Sequence, residues 1–364
     1  MRSIKTAYIE GRPHSHPTHA AYAKSVDSTF HFVDFKLRYH DIPNSSAIKR
    51  YMSWLACALF FPKRNSYDVF LSEEAYFMLG LMKKLGLMSK RQKLFAIMGS
   101  HTLYFLYTNQ YPETTKKAFI KLFNTYDAFI CEGPLQYEIL KTFIDSKSNI
   151  KIYKTFNGSP AWRFNKLIKI EPKLDRLNIV TIGAIPNRNR LHYKGIDLML
   201  EAFSKVKPYF PELTFTIVGD YDPVLMNNVL NEKCPDFIND VILTGQSNDL
   251  SICLSEACLY LHTARGEAWG ISVTEAMTAG VVPIVSEWTG SKEAVEQVSQ
   301  DLVVPLDAAM IFEKMLWYLN LSIHQKKVIS DKCKKVASFY TEERALENFK
   351  KIFDKACEET LDLK

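Results

Sequence analysis

The feature that most constrains this 364-residue chain is a rhythm of short apolar runs, each bounded by turn signals and separated by helix-length segments, which occurs twice. Runs of that length, apolar on both faces, are what a parallel sheet covered by helices requires. The first series predicts strands over 4–10, 29–35, 67–73, 93–99, 127–132 and 150–156. The second predicts them over 178–184, 213–219, 241–245, 257–263, 281–286 and 301–305. Between the two lies TFNGSPAWRFNKLIKIEPKLDRLN, polar and without clear periodicity, with Asn157-Gly158 as a turn, which reads as a hinge. A chain of this length exceeds what one core organises. The expected fold class is therefore α/β with two domains, 1–160 and 161–340. A helix over 341–364 closes the chain and is expected to pack back on the first domain. Its opening lacks a full capping box, because Arg344 stands three residues after Thr341, but Glu342 and Glu343 favour a helix start there.

In open α/β sheets ligands bind at the carboxyl ends of the strands, and the chemistry-bearing residues fall there. The densest segment is HTARGEAWGISVTEAMTAGVVPIVSEWTGSKEAV, from His262 to Val295. A helix starting at or just after Gly270 would present the free backbone N–H groups of Gly270, Ile271 and Ser272, a ready site for a diphosphate. Glu267 in the preceding loop and Glu275 in the helix would flank it. A carboxylate accepts two hydrogen bonds from vicinal hydroxyls, so one could hold a ribose and the other a hexose. Spacing alone equally allows both to be first-turn acids favoured by the helix dipole.

The run EAWGISVTEAMTAGVVP resembles the E-x7-E signature of glycosyltransferase family 4, the retaining transferases of GT-B architecture. NIVTIGA, KGIDLMLEAF, LTFTIVGD and VILTG precede it in the order of that family's donor domain, so the likeness covers about residues 150–350. The resemblance implies two Rossmann-like domains facing across a cleft. It implies transfer of a hexose, with retention and without a metal or other cofactor, from a UDP- or GDP-sugar to a glycan or glycolipid. Glu275 would bind the ribose and Glu267 would approach the transferred sugar. Lys194 stands at the family's K-G lysine, where it would neutralise the departing diphosphate, a role in which a lost donor costs about 2–4 kcal/mol. The Arg that usually follows the strand-ending glycine is replaced here by Ala184 after Gly183, leaving Arg188 or Arg190 as its substitute. Gly245, ending the VILTG strand, belongs to the same donor side. Asp220-Tyr221-Asp222 has the letters of a metal motif but lies on a nucleotide-side loop and reads as coincidence.

The likeness is weak in the first half. Gly11, in IEGRPHSHPTHAAYA, falls where the family has a glycine loop near the donor phosphates. His14, His16 and His19 alternate as metal ligands might, but a Pro-interrupted loop favours solvent-facing imidazoles. His101, after the strand in KLFAIMGS, matches a family histidine near the transferred sugar, while a lone histidine is more often structural.

Charge is uneven: residues 1–170 carry 25 Lys/Arg and 12 Asp/Glu, a net +13, while the remainder carries 21 and 28, a net −7. A basic half points to an anionic partner. Together with the Lys/Arg-edged apolar segments AIKRYMSWLACALFFPKR and AYFMLGLMKKLGLMSKRQK, it leaves open either peripheral contact with an anionic membrane or ordinary buried helices. Nucleic acid is not expected as a partner. With no signal peptide or spanning segment read, and seven scattered cysteines fitting a reducing compartment, the expected location is cytoplasmic, with peripheral attachment at the cytosolic face of a membrane. Two rival readings stand beside the transferase: a non-catalytic GT-B relative serving as a binding or scaffold subunit, and a Rossmann oxidoreductase. The second needs a G-x-G-x-x-G turn that no strand end supplies.

Overall fold

The computed structural model describes residues 4–10, 17–32 and 66–361, together with the isolated positions 48, 52, 55 and 56. The chain divides into two compact units, one formed by Met1–Thr155 with Ala345–Lys364 and the other by Phe156–Arg344. The sequence reading set its boundaries at 160 and 340.

The first unit holds a six-stranded sheet. Its strands are β1 (Thr6–Glu10), β2 (Thr29–Phe32), β3 (Val69–Glu73), β4 (Lys93–Met98), β5 (Ala128–Glu132) and β6 (Lys151–Thr155). They pair in parallel in the order β2-β1-β3-β4-β5-β6. β3 and β5 are buried along their whole length, as expected of strands covered on both faces. The apolar segment 75–93 builds the helix Phe77–Lys84, which buries Met78, Leu79 and Met82 in this core; of the large apolar residues in the segment only Leu85 is well exposed, at 46%. That segment is a buried Rossmann helix. The other Lys/Arg-edged segment, 47–64, lies almost wholly outside the described residues. The helix Glu342–Thr360 gives this unit its last side chains, with the Phe349 ring stacked on Tyr22 at 4.4 Å and Phe353 edge-on to Phe95 at 5.7 Å. The broken capping box still caps: Thr341 Oγ1 accepts from the Arg344 N–H at 3.4 Å.

The second unit holds β7 (Asn178–Ile182), β8 (Thr214–Val218), β9 (Val241–Gly245), β10 (Leu259–His262), β11 (Val282–Ser286) and β12 (Val303–Val304). Their order, β12-β11-β10-β7-β8-β9, is that of a doubly wound Rossmann sheet. The strand order reverses between β7 and β10, and the loops that leave these two strands are the ones that carry Lys194 and Glu267. No helix among the described residues is long and apolar enough to cross a membrane.

Candidate functional site

The site in the second unit is assembled from two glycine-shaped connections at the carboxyl ends of β7 and β10. The stretch after β7 forms the helix Arg188–Lys194, with the Asn187 side chain accepting from the Arg190 N–H as its N-cap. The helix ends at Gly195 in the left-handed region, φ +70°, where a Cβ would lie 2.0 Å from the Thr263 carbonyl oxygen. Only glycine allows that approach. It brings Lys194 back over the end of β7, where its stem runs 3.6 Å from the position a Cβ would take on Gly183.

The loop after β10 is held on both sides. Arg265 makes a bidentate pair with Asp197 at 2.8 and 2.9 Å, and its N–H donates to the Tyr193 carbonyl. On the other side the loop after β11 straps it down. The Gly266 N–H donates to Trp288 O, Gly290 N–H to Glu267 O and Ser291 N–H to Trp269 O. Gly290 packs so closely on the Ala268 carbonyl that a Cβ there would lie 1.6 Å from the oxygen.

Held in this way, Glu267 meets Lys194, Oε2 to Nζ, at 2.5 Å, with both side chains mostly buried. Burial alone would raise the Glu267 carboxyl, but the Lys194 ammonium, with help from His262 and Arg190, holds it down at about 2. Burial lowers Lys194, against the pull of Glu267. His262 Nε2 lies 3.8 Å from Glu267 Oε2, and burial, then Lys194, pushes its pKa down to about 3, so the ring is neutral. Arg190 and Lys194 both lie over the Tyr193 ring, at 4.9 and 5.6 Å. Arg188 is exposed, while Arg190 is half-buried and its charge acts on both Lys194 and Glu267.

The helix Ile271–Thr278 starts directly after Gly270, whose φ of +86° sets the turn. Ile271 and Ser272 stand in its first turn. Glu275 is not a first-turn acid; it sits one turn in, on a buried face. There Oε1 accepts from Ser159 Oγ at 3.1 Å and from an Arg163 guanidinium nitrogen at 2.9 Å. Burial raises its pKa, partly countered by Arg163. Gly245 ends β9 at φ +70°, and its carbonyl accepts from the Gly219 N–H. Asp222 accepts from the Leu225 N–H as the N-cap of Pro223–Lys233, a structural use of that carboxylate.

In the first unit, His101 lies three residues past β4, at the start of the helix Thr102–Tyr107, with its ring edge-on to Phe105 at 4.7 Å. His19 corrects the expectation of a solvent-facing imidazole. It is 6% exposed, with Nε2 2.9 Å from Glu132 and Nδ1 3.3 Å from Glu73, at the carboxyl ends of β5 and β3. Two buried carboxylates need a cation, and the helix Pro17–Ser25 supplies it in its first turn. Burial would lower the His19 pKa, but Glu132 and then Glu73 hold it up at about 10. Gly11, His14 and His16 lie outside the described residues. Among the described residues no group of three His, Cys, Asp or Glu side chains could hold a metal ion.

Sequence reasoning missed Ser159, Arg163, His262 and Ser291. His262 carried a signal, as a polar residue closing an otherwise apolar strand. Arg163 carried none, because its partner lies 112 positions away in sequence.

The fold is shared with solved glycosyltransferases. Anabaena HepE, in complex with UDP-glucose, aligns over 97% of this chain and 100% of its own, at 14% identity and a TM-score of 0.68. A glycosyltransferase from Rickettsia africae aligns over 98% of this chain and 99% of its own, at 16% identity and a TM-score of 0.70. In sequence, the phosphatidyl-myo-inositol mannosyltransferase of Mycolicibacterium smegmatis is 27% identical over 119 residues, 32% of this chain and 30% of that protein's length. The two units thus have the α/β, Rossmann-like architecture of GT-B glycosyltransferases, and residues 176–320, most of the second unit, match the family model of Glycosyl transferases group 1.

Proposed function

We propose that this protein is a retaining hexosyltransferase that moves a sugar from a UDP- or GDP-sugar to a glycan or glycolipid without a metal ion. The observation that carries the reading is the buried Lys194–Glu267 pair at the switch point of the second sheet, beside the start of Ile271–Thr278. The diphosphate would lie on the N–H groups of Gly270, Ile271 and Ser272, where free donors and the helix dipole favour an anion. Lys194 and Arg190 supply the cations that offset the charge growing on the leaving diphosphate, work done elsewhere by a metal. Glu267, ionised far below neutral pH, accepts hydrogen bonds from the transferred sugar. Glu275 keeps Oε2 for the ribose hydroxyls while Ser159 and Arg163 hold Oε1. By the family resemblance His101 and Gly11 would also take part in the reaction.

The glycolipid reading draws support from the aligned stretch of the mannosyltransferase and from the +13 charge of residues 1–170. It places the protein in the cytoplasm, docking peripherally on anionic lipid. The test is a thermal-shift screen against UDP, GDP, ADP and their common sugars, since a ligand that binds only the folded state raises its stability. It is followed by transfer assays with and without EDTA. A nucleotide-dependent rise in melting temperature and EDTA-resistant transfer are expected. No shift with any nucleotide would overturn the reading, and loss of transfer on chelation would return Asp220 and Asp222 to consideration. Binding to anionic vesicles at low salt that fades as salt rises would support the lipid-borne acceptor.

A further inference from the structure

His262 and Ser291 are buried polar side chains that the transferase reading does not use. His262 is 1% exposed and Ser291 is 0% exposed. Neither His262 Nε2 nor Ser291 Oγ makes a hydrogen bond with any of the described residues. They come from different strand ends, His262 closing β10 and Ser291 following β11, yet they converge on one point. The position a Cβ would take on Gly270 lies 3.2 Å from His262 Nε2, 3.3 Å from Glu267 Cγ and 3.5 Å from Ser291 Oγ. Gly270 therefore presents only hydrogen toward three polar side chains, at the residue that opens the helix Ile271–Thr278.

A buried donor or acceptor without a partner costs stability, and an apolar pair of the same shape would avoid that cost. His262 closes the strand β10 and Ser291 sits in the strapped loop, its N–H donating to Trp269 O, so both backbones are held in place. We propose that His262 and Ser291 are specificity-determining residues that hydrogen-bond a ring hydroxyl of the transferred sugar beside Glu267. The inference rests on the donor-sugar reading given above. The ligand group it requires is small, neutral and able both to donate and to accept, which a sugar hydroxyl does. A phosphate oxygen only accepts, and would sit beside the Glu267 carboxylate as a second anion. The imidazole, neutral at physiological pH, offers Nε2 as acceptor or donor according to its tautomer, and the Ser291 hydroxyl adapts to either.

The test pairs variants with deoxy donors. Once the screen has identified the sugar nucleotide used, kcat/KM is measured with that donor and with each of its monodeoxy-sugar analogues. The proteins compared are the wild type, His262→Leu, His262→Gln and Ser291→Ala, and binding of the bare nucleoside diphosphate is measured by calorimetry. His262→Leu is expected to lower kcat/KM for the parent donor about 10–100-fold and leave the affinity for bare diphosphate within about twofold. One deoxy analogue, poor for the wild type, should be used by His262→Leu as well as the parent donor is, and His262→Gln should recover most of the loss. The proposal is overturned if all deoxy analogues keep their wild-type penalties in the variant, or if diphosphate affinity falls in parallel with kcat/KM. Ser291→Ala, a smaller change, carries the same comparison should His262→Leu fail to melt cooperatively. A wild-type protein that binds no nucleotide overturns the donor-sugar reading itself. One that transfers sugar without the hydroxyl-specific coupling overturns only this inference.

Discussion

At the scale of single residues, the site depends on charges kept out of water. Lys194 pairs with Glu267 in the resting protein, and in the proposed reaction it would also meet the leaving diphosphate. Lys194→Met should lower kcat about 10²–10³-fold, the loss typical of a transition-state donor, with much less change in nucleotide affinity. Steady-state kinetics beside calorimetric binding would check this; a rise in KM at unchanged kcat would make Lys194 a ground-state binder. The same variant strands a buried carboxylate, and stability should fall by about 3–5 kcal/mol at neutral pH. Glu275 allows a pH test. Burial raises its pKa and Arg163 opposes the rise. In the proposed role ribose hydroxyls would donate to the ionised carboxylate, so nucleotide affinity should weaken as pH falls through that raised value. Arg163→Met should move the midpoint to higher pH still. Titrations of nucleotide binding from neutral pH downward would show it, and an unmoved midpoint would detach Arg163 from the site.

At the scale of elements, the strands were legible and the ties between loops were not. A run such as KLFAIM or VPIVS announces a buried strand by its composition and its flanking turn signals, and the observed β4 and β11 lie within the stretches read for them. The helix after Gly270 was legible as well, because a glycine followed by a helix-forming run marks a start. The helix Arg188–Lys194, at seven residues, shows too little periodicity to stand out in the sequence. What no local pattern reveals is why glycine stands at 195 and 290. Each lies against a carbonyl of a loop remote in sequence, at Thr263 and Ala268. Gly195→Ala would put a Cβ into the Thr263 carbonyl and a side chain on a left-handed residue. The strained backbone alone costs about 1–3 kcal/mol, so a loss of at least that size is expected from denaturant unfolding, together with a fall in kcat as Lys194 shifts. An alanine variant as stable as the wild type would mean that this turn relaxes freely.

At the scale of the whole molecule, the buried histidines give stability a maximum in pH. His262, at about 3, and Glu267, at about 2, both stay deprotonated in the folded protein at pH values where the unfolded chain takes up protons. Stability therefore falls on acidification, from pH 6.5 downward for His262 and from pH 4.5 downward for Glu267. His19 acts in the opposite sense. Held at about 10, it contributes fully below its ordinary value of 6.5, and that contribution is lost as pH rises from 6.5 through 10. His19→Gln should lower the melting temperature near pH 6 and flatten the decline between pH 6.5 and 10. An alkaline slope equal to the wild type's would show that the Glu73–His19–Glu132 cluster does not carry this linkage. The return of residues 345–364 to the first unit also bears on synthesis. Phe349 and Phe353 complete the packing around Tyr22 and Phe95, yet the ribosome makes them only after all of Phe156–Arg344. A nascent first unit must wait, its apolar face uncovered, while the second is translated and folds. The later-made half of the chain can reach its native state before the earlier one, and the first unit depends most on chaperones during that interval.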